Sequence, residues 1–326
     1  MIYKIFTLAF LVLDLQVGQS QDAQVKARPW HMVNTFSTYA DAMPFEILEI
    51  DYQLLDDLQS TGNVNSYFIA PMYGEINGIR FYFGFTSKDC PTTRDNKIEN
   101  IESSCYRFTR FSQSSEQTVQ KSKNGYVHAG DHEGEHAGVG IQSANARGLY
   151  TLRLESHKHK LNNKEESSLI KIYVFIHNNK TLAHVGNVIF PGYPASISRE
   201  MGSFIETTQG YDRKNKRWIA PDLEKSDEMP RFRIAVGNLS LDKKQRSAQE
   251  ITYYYRKDVP QKGNVTLFKK SLEDELNDRL KKHDTLLLEM SNDVKLRREE
   301  TIVLHQDKES KAQVEAFIFR TKLIKE

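Results

Sequence analysis

The chain has 326 residues, of which 45 are basic and 43 acidic, and its formal net charge is +2. This near balance excludes the concentrated basic excess that is typical of nucleic-acid-binding proteins, so we expect no nucleic-acid partner. The length also excludes a small scaffold held together by disulfides, because about 300 residues can bury a substantial hydrophobic core.

The first twenty residues predict a secretory signal peptide (1–20). Lys4 precedes an apolar run over 5–13, and the small residue Ser20 marks the expected cleavage site. The run is too short to span a membrane, and no later stretch approaches the required length. We therefore expect an exported, extracellular protein with a polar lead-in over 21–29 and no membrane span.

Two further features agree with export. N-glycosylation sequons begin at Asn179, Asn238 and Asn264. The only two cysteines, Cys90 and Cys105, are close enough in sequence to close a short loop. In an oxidising compartment they are predicted to form one disulfide, and a pair of buried thiols is the alternative.

Short apolar, aromatic and β-branched runs dominate residues 30–266 and predict an all-β domain, an antiparallel β-sandwich of jelly-roll type. The clearest predicted strands lie at 79–85, 150–156, 170–177, 181–190, 231–241 and 250–258. The asparagine-rich segment 178–180 predicts a hairpin turn, and the polar segment 86–104 predicts a long loop. Residues 45–55 fit either a strand or a helix.

The pattern changes at Ser271, and residues 267–326 are predicted to form a charged C-terminal α-helical extension. A capping box opens at Ser271, with Asp274 three positions on. Apolar residues then follow with spacings of four and three, at Leu276, Leu280, His283, Leu287, Met290 and Val294. This stripe predicts either a helix packed on the sandwich or a short coiled coil that mediates self-association through 271–299.

Residues 132–136 read His-Glu-Gly-Glu-His, which matches the H-E-x-x-H pattern of zinc metalloproteases. That pattern binds zinc only on a helix, where positions i and i+4 share a face. Gly134 lies inside the match and more glycines flank it, and each glycine inside a helix costs about 0.8–1 kcal/mol relative to alanine. We therefore favour a strand here and reject the protease.

A continuous strand would place alternate residues of this segment on opposite faces. One face would carry three histidines that could bind zinc or copper, and the other a row of carboxylates that could bind calcium. The histidines are His128, His132 and His136, and the carboxylates are Asp131, Glu133 and Glu135. The alternative is a polar strand with satisfied histidines and no metal. The alternating glycines indicate either that some group approaches the backbone closely or that the strand bends or bulges.

Four segments resemble, in this order, a family of exported proteins of unknown function found in bacteria and invertebrates. They are YFGFT (82–86), GDHEGEHAGVG (130–140), YTLRLE (150–155) and GSFIET (202–207), the last with Phe204 and Glu206. The resemblance covers about residues 40–240. It implies an all-β sandwich with an extracellular role, in some members beside carbohydrate-binding modules, and it implies no established reaction.

No nucleophile elbow and no phosphate-binding glycine loop occurs in the sequence. We therefore expect a secreted glycoprotein with a non-catalytic binding or extracellular-matrix role, whose partners are glycans or matrix components, with a divalent metal as the only candidate cofactor. The alternative is an extracellular hydrolase of polysaccharide that depends on a metal or on carboxylates. Its candidate residues are His128, His132, Glu133, Glu135 and His136.

Overall fold

The computed structural model describes a large part of the chain, in several segments. These are residues 30–57, 66–87, 90–94, 97–101, 104–112, 118–130, 135–143, 146–161, 165–208, 211–212, 217–218, 232–246, 248, 250–256, 263–267, 275–281, 285–290, 302–306 and 313–320. The signal peptide and lead-in predicted for 1–29 lie outside these residues.

The described residues form strands almost throughout, together with one short helix. In chain order the first strands are β1 (Trp30–Thr38), β2 (Met43–Pro44), β3 (Ile47–Leu54), β4 (Ser66–Ile76), β5 (Ile79–Thr86), β6 (Cys90–Arg94), β7 (Lys97–Ile101), β8 (Ser104–Phe111), β9 (Val119–Lys121), β10 (Gly125–Gly130), β11 (His136–Ser143) and β12 (Gly148–Leu161). The remainder are β13 (Glu165–Ile176), β14 (Thr181–Pro191), β15 (Ser196–Thr208), β16 (Tyr211–Asp212), β17 (Arg217–Trp218), β18 (Phe232–Leu241), β19 (Lys244–Arg246), β20 (Glu250–Arg256), β21 (Gly263–Leu267), α1 (Asp278–Lys281), β22 (Leu286–Met290), β23 (Ile302–Gln306) and β24 (Gln313–Arg320).

Two large antiparallel sheets make up the sandwich. Sheet A has the order β10-β11-β8-β5-β4-β15-β1-β20-β24-β23, with β2 beside β15. Sheet B has the order β21-β22-β18-β3-β12-β13-β14-β9, with β19 beside β18. The predicted all-β sandwich is confirmed.

The core lies between the sheets and is built by period-two alternation of buried side chains. In β3, Leu48 and Tyr52 are fully buried, whereas residues 47, 49 and 51 are only partly buried. Tyr52 stacks on Tyr150 of the neighbouring strand, with ring centroids 5.1 Å apart, and on Phe85 of sheet A at 5.4 Å. This aromatic contact joins the two sheets, and residues 45–55, which the sequence left ambiguous, contain the central strand β3.

Among the described residues after 267, the predicted helical extension is limited to Asp278–Lys281, and no coiled coil is found. Leu286–Met290 instead pairs with β18 and β21 in sheet B, and β24 pairs with β20 in sheet A. Leu286 and Leu288 enter the main core, and Leu287 enters a second cluster on the other face of the strand. Three consecutive buried leucines therefore fill both faces of a strand, and this tertiary burial outweighs the helical spacing.

Polar contacts hold the short helix against sheet B. Gln53 Nε2 donates to the carbonyl of Glu275 at 2.8 Å, and the amide of Asn277 donates to Gln53 Oε1 at 2.8 Å. Arg233 pairs with both Asp56 and Glu275. The described residues 275–281 and 285–290 are thus packed on or paired within sheet B.

Two predictions about connections had different outcomes. The hairpin turn at 178–180 is confirmed, since it links β13 to β14. The loop predicted over 86–104 is wrong in part, because Cys90–Arg94 and Lys97–Ile101 pair as a small antiparallel hairpin. In the described part of the chain, no helix has the length and apolar character needed to cross a membrane.

Candidate functional site

The outer face of sheet A, which is turned away from sheet B, carries the polar and aromatic side chains of the candidate site. On β5, Phe81 and Phe83 point into the core, so Arg80 and Tyr82 lie on the outer face. There Tyr82 packs edge to face against Phe204, with ring centroids 5.9 Å apart. Two of the segments quoted for the family resemblance, 82–86 and 202–207, therefore meet on this face.

A bulge in β15 shapes one end of the outer face. Ile197 of β15 pairs with Ile76 of β4, and Met201 pairs with Gly74. Between these two pairs β15 holds three residues, 198–200, and β4 holds only Glu75. The additional residues bend β15 locally, as bulges beside binding sites commonly do, and they bring Glu200 to the same pocket as Glu75.

A tight turn places a guanidinium beside Glu75. Asn77 and Gly78 both have positive φ, at 50° and 75°, and link β4 to β5. This Asn-Gly turn sets the register in which Glu75 pairs with Arg80 across the ladder. The Asn77 side chain donates to the carbonyl of Pro191 at 2.8 Å, which fixes the turn against the neighbouring loop.

These elements line an open cavity of about 450 Å³, which we call the Glu75–Glu200 pocket. Its volume falls in the range of small-molecule sites, about 300–1,000 Å³. Two carboxylates, two guanidinium groups and two aromatic rings contribute to its wall. The lining residues are Phe36, Thr38, Ala42, Tyr73, Gly74, Glu75, Arg80, Ser198, Arg199 and Glu200.

Both carboxyl groups of the pocket have perturbed acidity. Burial raises the pKa of Glu75, and the positive charge of Arg80 opposes that shift. Burial also raises the pKa of Glu200, against the opposing charge of Arg199, and the negative charge of Glu75 raises it further. The two carboxyl groups therefore interact electrostatically, and such perturbed pairs cluster at functional sites.

The aromatic rings of the pocket are held in place by neighbours. Phe36 and Tyr73 meet edge to face with centroids 5.6 Å apart, and Tyr73 packs against Phe204 at the same centroid distance. Arg80 lies over the ring of Phe111 at 5.0 Å. The wall of the pocket is thus supported by packing on the outer face of sheet A.

The histidine-rich segment lies farther along the same face, and it is a hairpin, not the continuous strand that we predicted. β10 and β11 pair antiparallel, with His128 opposite Gly138 and Gly130 opposite His136. His128 and His136 come together on neighbouring strands, with ring centroids 6.0 Å apart. Of the other predicted ligands, Glu135 is exposed, and Asp131, His132 and Glu133 lie outside the described residues.

The glycines of this hairpin make room for rings, which confirms that groups approach the backbone closely. A Cβ at Gly140 would lie 2.2 Å from Cζ of Tyr126, and one at Gly138 would lie 2.4 Å from Nε2 of His128. The tip of each ring therefore lies against a glycine of the next strand. This packing explains the alternating glycines without a ligand.

The guanidinium of Arg107 contacts both ring nitrogens of His128. Arg107 Nε donates to Nε2 of His128 at 3.2 Å, and Arg107 Nη2 lies 3.1 Å from Nδ1. A fixed cation at this distance repels a metal ion and uses the lone pair that would bind it. Among the described residues no group of three or more metal-ligating side chains is found, and metal binding by His128, His132 and His136 stays a prediction.

The disulfide predicted between Cys90 and Cys105 is not formed. Both residues are buried and are not joined by a bond between their sulfurs. The sulfur of Cys105 lies 3.3 Å from Oγ1 of Thr86 and 3.0 Å from the hydroxyl of Tyr126. Burial acts to raise the pKa of the Cys105 thiol, but hydrogen bonds from Cys90, Thr86 and Tyr126 and the charge of Arg107 lower it to about 7.

The predicted glycosylation sites lie on three different elements. Asn179 is exposed in the turn between β13 and β14, where its side chain accepts a hydrogen bond from the amide of Thr181. Asn238 lies on β18, beside a register shift, and Asn264 lies on β21. Their modification stays a prediction.

The sequence reasoning missed the pocket. One signal was present, since an Asn-Gly turn places Glu75 and Arg80 opposite each other, as in any tight hairpin. No local signal identifies Arg199 or Glu200, because they reach the pocket through a bulge and through pairing between strands that are distant in sequence.

No family model matches the chain, and no curated protein matches it at a significant level. Among solved structures, the chain is similar to scytalido-glutamic peptidase, whose crystal structure contains a transition-state analogue inhibitor. The two share 7% identity, the match covers 77% of this chain and 97% of that chain, and the TM-score is 0.32. At this level the similarity carries no argument about function.

Proposed function

We propose that this protein is an exported glycoprotein that binds a saccharide in the Glu75–Glu200 pocket. One observation carries the proposal: a cavity of about 450 Å³ combines paired carboxylates, guanidinium groups and aromatic rings on one sheet face. The partner is accordingly a glycan, in the extracellular space or matrix.

The lining matches the two kinds of surface on a sugar ring. Hydroxyl groups donate to carboxylate oxygens and accept from guanidinium N–H groups, and hydrogen bonds to charged groups are the stronger ones. The apolar C–H face of a sugar packs on an aromatic ring, for which Phe36 and Tyr73 are available. A pocket with apolar walls and a few polar groups is the usual form of a small-molecule site.

The charges of the pocket favour an uncharged saccharide. Glu75 and Glu200 are balanced by Arg80 and Arg199, so the wall has no excess of either sign. A sulfated or uronic-acid polymer would need a surplus of positive charge, as nucleic acids do. Neutral saccharides are therefore the expected class.

Export is supported by the sequence alone, through the predicted leader and the three sequons. We expect a eukaryotic host to secrete the full-length chain, and we expect treatment with an N-glycosidase to lower its mass. Retention of the chain inside the cell would contradict this part of the proposal.

Two alanines provide a matched test of the pocket. Ala42 and Ala40 are both exposed in the turn after β1, but only Ala42 lines the pocket. Ala42→Trp should fill the cavity without changing the core, whereas Ala40→Trp adds the same ring outside it. On an array of immobilised oligosaccharides, wild type and Ala40→Trp should retain the same neutral saccharides, and Ala42→Trp should lose them. Equal retention by all three proteins would contradict the proposal.

A further inference from the structure

The two carboxyl groups of the pocket come from different strands and have different cross-strand partners. Glu75 is on β4, where the ladder pairs it with Arg80. Glu200 is on the adjacent strand β15, within the bulge opposite Glu75, and its backbone pairs with Thr38 of β1. Two carboxyl groups therefore line one cavity from neighbouring strands.

We infer that Glu200 and Glu75 hydrolyse the glycosidic bond of the saccharide in this pocket, with Glu200 as general acid and Glu75 as general base. This inference rests on the proposed saccharide binding and adds a reaction to it. Glycoside hydrolysis requires two carboxyl groups that flank the scissile bond, one protonated and one ionised.

The electrostatics of the site support this division of roles. Two carboxyl groups that repel each other titrate as a pair, and one of them holds a proton to higher pH than an isolated carboxyl group does. Burial and the negative charge of Glu75 favour the protonated form of Glu200, while Arg199, whose Nε donates to the carbonyl of Tyr39 at 3.2 Å, opposes this. Arg80, the cross-strand partner of Glu75, favours the ionised form of Glu75.

The reaction consumes one water molecule. Glu200 donates its proton to the glycosidic oxygen as the bond between that oxygen and the anomeric carbon breaks. Glu75 accepts a proton from the water whose oxygen forms the new bond to the anomeric carbon. The products are an alcohol and a hemiacetal, and exchange of protons with solvent returns Glu200 to its acid form and Glu75 to its carboxylate form.

The test uses full-length protein and reducing-end-labelled hexasaccharides of cellulose, xylan, mannan, laminarin and chitin, with a hyaluronan hexasaccharide as the charged control. Binding and cleavage are measured separately, by fluorescence anisotropy and by chromatography of the label. Glu75→Gln and Glu200→Gln should each lower the cleavage rate at least 100-fold, within the range of 10²–10⁴ that general acid–base groups contribute. Both variants should still bind, with Kd raised about tenfold at most, because glutamine keeps an acceptor oxygen and loses only the charge that strengthens the hydrogen bond.

A matched control and a leaving-group test separate catalysis from structure. Glu49 is a partly buried glutamate that pairs with Arg153 on sheet B, on the far side of the sandwich, so Glu49→Gln should leave cleavage unchanged. A 2,4-dinitrophenyl glycoside of the cleaved sugar needs no protonation to depart. Glu200→Gln should therefore recover most of the wild-type rate on it, whereas Glu75→Gln should not.

The outcomes distinguish the two proposals. If a hexasaccharide binds but stays intact, or if both variants cleave it as fast as wild type, the inferred hydrolysis is refuted and saccharide binding stands. If no hexasaccharide binds, the proposed function fails and the hydrolysis fails with it. Binding of hyaluronan in preference to the neutral chains would refute the predicted class of saccharide.

Discussion

Replacement of Gly140 by alanine should lower the free energy of unfolding by about 1–3 kcal/mol, the usual cost of overpacking. The new Cβ would lie 2.2 Å from Cζ of Tyr126, whereas ordinary van der Waals contact begins at 3.4 Å. The ring would have to move by about 1.2 Å, the difference between these distances. That movement would also disturb the 3.0 Å contact between the Tyr126 hydroxyl and Cys105. Urea unfolding followed by intrinsic fluorescence measures the change.

A double-mutant cycle tests whether the Tyr126 ring is what a Cβ at position 140 would collide with. In a Tyr126→Ala background the ring is absent, so Gly140→Ala should be neutral or should stabilise the protein by about 0.4–1 kcal/mol through reduced freedom of the unfolded chain. Gly138 provides the contrast, because its Cβ would also meet the backbone oxygen of Phe108 at 2.1 Å. Removal of the His128 ring should therefore not rescue Gly138→Ala. An equal cost of Gly140→Ala with and without the Tyr126 ring would refute this explanation of the glycines.

Three further predictions concern stability and are all measured by urea unfolding. The pKa of Glu200 is raised above its ordinary value of 4.5, so the folded state binds its proton more tightly and stability falls as pH rises from that value. Glu200→Gln should therefore raise the free energy of unfolding at pH 7, and this increase should disappear below pH 4.5. An increase that is the same at both pH values would contradict the burial of a carboxylate. The Thr151 hydroxyl donates to Asp51 at 2.5 Å and lies 2.8 Å from Nε2 of His177. Thr151→Val should therefore lower the free energy of unfolding by about 1–3 kcal/mol. An unchanged free energy of unfolding would contradict a stabilising role for these hydrogen bonds. Leu288→Ala should cost about 2–5 kcal/mol because the side chain is fully buried in a strand, whereas a helix with the predicted stripe would tolerate the change.

Apolar, aromatic and β-branched runs were sufficient to predict six strands of the two sheets, namely β5, β12, β13, β14, β18 and β20. The run at 79–85 became β5 and the run at 181–190 became β14. These segments carry β-branched and aromatic residues and end at turn signals, so local and tertiary preferences agree. The turn at 178–180, which links β13 to β14, was predicted from its asparagines.

The leucine-rich segment 286–290 shows where periodicity fails. Leu287 and Met290 fit a helical stripe, but Leu286 and Leu288 do not, and the structure buries these two in the main core. A short apolar run cannot be assigned to helix or strand from its spacing alone. Open hydrogen-bonding positions beside β18 and β21 decided the outcome, because pairing there satisfies the backbone.

The glycine-rich segment was understood in part. Its glycines predicted a close approach to the backbone and argued against a zincin helix, but the approaching groups could not be identified without the register of β10 and β11. Tyr126 and His128 meet Gly140 and Gly138 only because those two strands pair. The Glu75–Glu200 pocket depends still more on tertiary structure, since its two glutamates are far apart in sequence.

The most direct test of saccharide binding is a calorimetric titration of one neutral hexasaccharide, selected from the array, into three proteins: wild type, Ala40→Trp and Ala42→Trp. The proposal predicts that Ala42→Trp weakens binding at least tenfold, about 1.4 kcal/mol in binding free energy. It also predicts that Ala40→Trp, which carries the same ring just outside the pocket, binds like wild type. An unchanged Kd for Ala42→Trp would contradict the claim that the Glu75–Glu200 pocket is the binding site.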